Sequence, residues 1–196
     1  MPVRGWWWLM VAVLLGGCGS PAVLLRGSGV YDAYAITVDH RPLWTMTTDK
    51  RIKLSIQSRL AQMDASDLYY IGVESFYGTV YLIGEYEDLA HKERIVDVAR
   101  TTSGVREVVE YFHPKSAQEE CTLYRNLALL ADVKSRLFQD KHIYGSNIHV
   151  HAVQCHIVLA GMVESAWEQE RAEWIAHHTP GVRSAVSYLR AFVQDR

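Results

Sequence analysis

His149 and His151 stand two residues apart in an alternating run, and Cys155 and His156 follow after a short break. If the chain turns at Gln154-Cys155, the three imidazoles share one face of a sheet. With a thiolate nearby they make a donor set of the kind that holds zinc or copper. The spacing matches no metal motif, and a similar stretch earlier in the chain carries Gly72, Glu74 and Thr79 at the corresponding positions. We read these histidines as polar residues on an open sheet face and expect no metal and no cofactor. The sequence has no nucleophile elbow, zinc-protease motif, phosphate loop or dinucleotide fingerprint. Its carboxylates scatter over helix starts and exposed positions, so no catalytic residue is expected. A different chemistry is written between Tyr124 and Phe138. At about 100° per residue, Leu127, Leu130, Ala131, Lys134 and Phe138 cluster roughly 120° from Leu129, Val133 and Leu137, which read as core. An apolar stripe with a lysine in it and Tyr124 at its near end can lie in the headgroup boundary of a membrane, with Lys134 reaching phosphate. The alternative is that this face packs against the rest of the chain or a partner. An earlier helix carries Lys50, Arg51, Lys53 and Arg59. A solvated face is the plain reading of these. A secondary contact with anionic lipid through Lys50, Arg51 and Lys53 is the other, worth about 1 kcal/mol per basic residue.

The start of the chain carries the third piece of chemistry. Arg4 precedes the apolar tract Trp6 to Leu15, about ten residues long and short of the roughly 20 needed to span a bilayer as a helix. Leu15-Gly16-Gly17-Cys18 then resembles the lipobox of bacterial lipoproteins. That resemblance implies a diacylglyceryl group on the Cys18 thiol, cleavage after Gly17 and acylation of the new amino terminus. Two or three chains anchor a protein stably where one does not. Gly19 stands where an aspartate would signal inner-membrane retention, which implies the outer membrane and a periplasm-facing protein. Loss of Met1 to Gly17 removes only Arg4 from the count, so a net charge of −2 becomes about −3. No basic excess points to nucleic acid. Cys121 and Cys155 remain, and an oxidising compartment permits either a disulfide or two thiols.

Shifting Asp49–Phe112 by 77 residues places it without a gap on Asn126–Leu189, with 18 of 64 pairs identical. Ser58-Arg59-Leu60 falls on Ser135-Arg136-Leu137, and Gly104-Val105-Arg106 on Gly181-Val182-Arg183. The period is too long for a solenoid unit and reads as two copies of one small domain. In copy one, Ile52, Ile56 and Leu60 form a helical stripe whose first turn Asp49 could cap, as Asn126 could in copy two. Ile71-x-Val73 and Val80-x-Leu82 alternate as strands around a Tyr77-Gly78 turn. Glu87 to Thr101 reads as a helix with Leu89, Ile95, Val98 and Ala99 inward, and Val105 to Phe112 as a last strand. The fold class is therefore α+β: two tandem αββαβ domains, each a three-stranded mixed sheet with two helices on one face.

This order resembles the BON-domain family on two motif sets. The first is Val80-Tyr81-Leu82-Ile83-Gly84 with Gly104-Val105-Arg106-Glu107-Val108. The second is Ile157-Val158-Leu159-Ala160-Gly161 with Gly181-Val182-Arg183-Ser184-Ala185. Together with the lipobox, the pattern is similar to that of dual-BON outer-membrane lipoproteins. The organisation it implies is a signal peptide at 1–17, a lipidated tether and lead-in at 18–48, BON domains at 49–112 and 126–192, a linker at 113–125 and a tail at 193–196. The resemblance implies a non-enzymatic protein that binds anionic phospholipid through the first helix of the second domain and supports outer-membrane integrity. An adaptor that docks an envelope protein complex is the alternative. One departure is that the aromatic residue expected in the first turn of that helix is absent, with Ala128 there, so Tyr124 or Phe138 would substitute.

Overall fold

The computed structural model describes Asp39, residues 41–115 and residues 121–192. Cys18, the expected export signal and most of the expected tether and lead-in lie outside the described residues, and residues 43–48 of that lead-in belong to the first helix. Residues 39–196 form one compact unit.

Copy one opens with helix α1, Leu43–Met63, which buries Ile52, Ile56 and Leu60 at a spacing of four. A short helix α2, Asp67–Tyr70, leads into strand β1, Ile71–Phe76. Strand β2, Thr79–Tyr86, pairs antiparallel with β1. Helix α3, Leu89–Arg100, crosses to strand β3, Glu107–Pro114, which lies parallel to β2. Copy two repeats the order. Helix α4 is Leu123–Gln139, strands β4 and β5 are Ile148–Val153 and His156–Val163, helix α5 is Ala166–His177 and strand β6 is Ser184–Ala191. Each sheet has three strands, in the order β1-β2-β3 and β4-β5-β6.

The glycines closing the two β2-type strands have the same cause. Gly84 pairs with Ile71 and Gly161 with Ile148, each at the start of an edge strand. A Cβ at Gly84 would collide with the Tyr70 carbonyl oxygen, and one at Gly161 with that of Asn147. The second helices start alike, with the Asp88 side chain accepting from His91 N at 2.6 Å and Ser165 from Glu168 N at 3.2 Å.

Three expectations are corrected. Asp49 and Asn126 do not cap the first helices, which begin earlier, after Pro42 and Thr122; Thr122 Oγ1 is the cap that accepts from Arg125 N. Asp49 is instead buried inside α1, where it accepts from Ser75 Oγ, Tyr77 N and Gly78 N, each at 2.9 Å. Asn126 Oδ1 accepts from Cys155 N at 2.9 Å. Both residues thus satisfy amides of the β-hairpin turns, beyond the last paired residues of the strands, where Tyr77, Gly78, Gln154 and Cys155 all have positive φ. Leu89, read as inward, is 69% exposed. It is the first residue of α3, and nine residues separate it from buried Val98, half a turn around the helix.

The third correction concerns the sheet faces, which are not open. Phe76, Tyr81 and Ile83 of copy one pack against Val153, Val158, Ala160 and Met162 of copy two in one buried cluster. Each helix pair covers the other face of its own sheet with a separate core. The result is four layers, helices outside and sheets within. Each fully buried aliphatic side chain contributes roughly 1.5–3 kcal/mol, so the sheet-to-sheet cluster holds the copies together.

Cys121 and Cys155 form a disulfide with Cα atoms 5.7 Å apart. It joins the start of α4 to the β4–β5 turn and closes a separation of 34 residues.

Candidate functional site

The stripe expected on α4 is present, and most of it is exposed. Tyr124 is 82% exposed, Leu127 54% and Phe138 51%; Lys134 and Ala131 are exposed and Leu130 is half-buried. Among the described residues, no helix is long and apolar enough to cross a membrane. Leu123, Leu127 and Leu130 form one wall of a groove of about 260 Å³ between the two copies. Lys53 and Gln57 from α1, with Leu68, Tyr69 and Tyr70 around α2, form the other. Edge strands β1 and β4 supply its floor, including Gly72, Glu74 and His151. Lys53 and Leu130 occupy the same position of the repeated unit, 77 residues apart. The groove therefore sets a basic wall against an apolar one, with Lys134, Phe138 and Tyr124 outside it on α4.

The basic residues of α1 separate into three roles. Lys50 and Arg51 are exposed. Lys53 is committed, its Nζ 2.8 Å from Glu74 Oε2. Arg59, read as part of a solvated face, bonds Val98 O at 2.7 Å, Thr102 Oγ1 at 2.8 Å and Thr101 Oγ1 at 2.9 Å. It closes the C-terminal end of α3, where carbonyls lack helical partners.

At the groove floor sits a cluster that the sequence reading did not assemble. Glu74 is 5% exposed and takes three partners: Lys53, His149 Nδ1 at 3.2 Å and His151 Nε2 at 3.0 Å. Burial alone would raise its pKa. The charge and hydrogen bond of His149, the bond from His151 and the charge of Lys53 outweigh that and hold the carboxyl far below the usual range. Glu74 and His151 are themselves equivalent, 77 residues apart, so one sheet offers the acid and the other the base. Gly72 makes the approach feasible, since a Cβ there would run into the His151 ring. The available signal was the contrast of Gly72-x-Glu74 with His149-x-His151 at matched positions. Reading it required knowing that the two faces meet.

The four donors weighed for metal therefore divide among three partners. His149 and His151 face Glu74, and the Cys155 sulfur is in the disulfide. His156 Nδ1 bonds Ser184 Oγ at 2.7 Å, and its ring stacks on His113 of copy one. Burial first, then the nearby His113 and Arg183 charges, lower the His156 pKa. Among the described residues, no group of three or more His, Cys, Asp or Glu is placed to hold a metal ion.

Residues 48–113 and 127–190 each match the BON domain. Osmotically-inducible protein Y of Escherichia coli is 27% identical over 144 residues, covering 72% of each chain. Outer membrane lipoprotein DolP of Haemophilus influenzae is 23% identical over 187 residues, 92% of this chain and 94% of that protein. A solved structure of CdsD, a structural protein of the type III secretion system of Chlamydia trachomatis, covers 71% of this chain and 91% of that one at 11% identity. The TM-score of that superposition is 0.31.

Proposed function

The chain belongs to the BON-domain family, and on that premise we propose that it is a non-enzymatic, periplasm-facing lipoprotein that binds anionic phospholipid at the outer membrane and supports its integrity. The observation that carries this reading is the exposed apolar stripe on α4, Tyr124 and Leu127 above all. Large apolar side chains at Tyr124, Leu127 and Phe138 are half or more exposed, with Lys134 among them. Such a face gains free energy by entering the headgroup boundary. Burying Leu127 and Leu130 is worth roughly 1.5–3 kcal/mol each at full depth and less at shallow insertion. Lys134 adds about 1 kcal/mol on an anionic surface and loses it in salt. Lys50 and Arg51 are a secondary basic contact. Lys53 contributes little, because Glu74 already holds it. The similarity to an outer membrane lipoprotein over 92% of this chain supports the localisation, with Cys18 as the lipid attachment site.

Co-sedimentation with vesicles containing phosphatidylglycerol tests the reading. Leu127→Glu with Leu130→Glu is expected to abolish binding while the circular dichroism spectrum and melting temperature stay near wild type. A folded double variant that still binds overturns the assignment of the lipid face to α4. A wild-type protein that ignores acidic vesicles favours the adaptor reading instead. Labelling with a palmitate analogue should mark wild type and not Cys18→Ala.

A further inference from the structure

Each copy carries a second groove, between its two helices, and the same two arginine positions line both. In copy one the groove between α1 and α3 has Arg59, Met63, Arg94, Asp97, Val98 and Thr101. In copy two, 77 residues on, α4 and α5 present Arg136, Asp140, Arg171, Trp174, Ile175 and His178, with Gln139 beside them.

The two grooves use their arginines differently. In copy one both terminal nitrogens of Arg59 are consumed by the end of α3. In copy two the end of α5 is closed without an arginine: His178 Nδ1 bonds Trp174 O at 2.7 Å and Thr179 Oγ1 bonds Ile175 O at 2.8 Å. Arg136 is thereby released and turns back along its own helix, Nε to Asp132 Oδ1 at 3.0 Å. Arg171 is fixed by Nε to Asp140 Oδ2 at 2.9 Å, and its guanidinium lies 4.8 Å over the Trp174 ring. His178 stacks on the same indole at 4.3 Å. Both arginines are thus held through Nε, so the Nη edges of their forks stand outside those bonds. Trp174 replaces Asp97 on the wall, while Asp140 stands in the place of Met63, and that one carboxylate is paired with Arg171.

We propose that the α4–α5 groove of copy two binds a phosphate ester, with Arg136 and Arg171 presenting their Nη edges to its oxygens and the half-exposed Trp174 bordering the groove beside them. A guanidinium fork matches two oxygens of one group. Two forks on one ligand call for more terminal oxygens than a carboxylate has, and a phosphate monoester supplies three. Stacking on Trp174 and the bond to Asp140 orient Arg171 in advance, which lowers the ordering cost of binding. The groove, at about 290 Å³, admits the ester and part of what it is attached to. The monoester belongs either to a free molecule or to a lipid headgroup of the phosphatidic acid kind. The site is independent of the stripe proposed for membrane contact, since Arg136 lies nine residues from Leu127, on the opposite flank of α4.

The test uses the full chain in uncharged detergent, titrated with glycerol 3-phosphate while the indole N–H signals are followed by nuclear magnetic resonance. Trp174→Phe identifies the signal concerned. A saturable shift at Trp174 is expected, weakened at least about tenfold by Arg136→Gln, and similarly by Arg171→Lys, which keeps the charge and loses the fork. Arg94→Gln in copy one should leave it unchanged. Arg136→Gln removes only an exposed ion pair and is the variant that keeps the fold. In parallel, vesicle co-sedimentation compares phosphatidylcholine containing phosphatidic acid, whose headgroup is a phosphate monoester, with pure phosphatidylcholine. A shift with glycerol 3-phosphate assigns a free ester. Binding of acidic vesicles alone, weakened by Arg136→Gln, assigns a headgroup. The proposal is overturned if neither probe perturbs Trp174 or depends on Arg136, or if both arginine variants bind as wild type does.

Discussion

Copy one ties its hairpin turn to its first helix with polar atoms, and copy two ties the same turn with one amide and a covalent bond. In copy one the Asp49 carboxylate spans Ser75, Tyr77 and Gly78 and is itself held by Arg41 Nη1 at 2.8 Å. Arg41 is braced in turn by Asp39 and lies 5.0 Å from the Phe76 ring centre. In copy two Asn126 makes a single bond to the turn, and the Cys121–Cys155 disulfide does the rest. The positions matching the two cysteines in copy one are Trp44 and Gly78. One backbone is thus stabilised by two unrelated devices. The fold fixes where a strut is needed and leaves its chemistry free, and side chains relieved of structural duty in one copy are open to other uses, as Arg136 is.

The largest effect should come from the buried acid. Asp49→Ala leaves Arg41 with Asp39 alone and takes the acceptor from two turn amides and the Ser75 hydroxyl, a loss of about 3–5 kcal/mol. Asn126→Ala removes one bond beneath a covalent tie and should cost only about 1–2 kcal/mol. Urea unfolding of both variants measures the contrast, and equal losses would break it. Next comes Cys121→Ser with Cys155→Ser. Opening a 34-residue separation removes roughly 3–4 kcal/mol in the chain-entropy account. Wild type treated with reductant should melt where the double variant does.

Glu74→Gln is the third in size. It leaves Lys53, His149 and His151 facing a neutral amide and should cost about 2–3 kcal/mol near neutral pH. Because the Glu74 pKa is depressed on folding, its contribution is complete above the unfolded value near about 4.3 and falls away as the pH drops below it. Melting curves between acid and neutral pH should therefore show wild type and variant converging only in acid. A gap that stays constant into acid would mean that Glu74 acts by packing alone. The smallest effect belongs to Leu89→Ala, within about 0.5 kcal/mol, against about 2–5 for Ile95→Ala in the same helix.

Much of this architecture was legible in sequence, and the reasons are local. Ile52, Ile56 and Leu60 carry the helical period, Ile71-x-Val73 and Val80-x-Leu82 the strand period, and Gly84 and Gly161 mark where backbone approaches backbone. The 77-residue shift then doubled every observation. Asp49 was misread because an aspartate near a predicted helix start satisfies backbone amides in either role, and sequence does not say which amides. Leu89 was misread because a hydrophobic residue in a first turn has no earlier turn to set its phase. The sheet-to-sheet face was read as open because Glu74, His149 and His151 lie on it and are polar. Their partners come from the other copy, and no pattern within one copy reports that. On α4 the apolar flank was visible as a stripe. The Arg136–Arg171 groove was not, because Arg59 and Arg136 are identical in type and differ only in what they bond.

The matched positions of Glu74 and His151 have one more consequence. β2 lies against β4 and β1 against β5, contacts that exchange under the 77-residue shift, so the two copies meet as the halves of a two-fold dimer would. In a true homodimer the residues at such an axis confront themselves, and an acid there would oppose an identical acid. Joined in one chain, the halves are free to diverge, and here one became acidic while the other became basic. The covalent link converts a self-complementary surface into a lock and key. A chain reduced to either half, or assembled from two identical halves, would bring like charges or none to the point where Glu74 and His151 now meet.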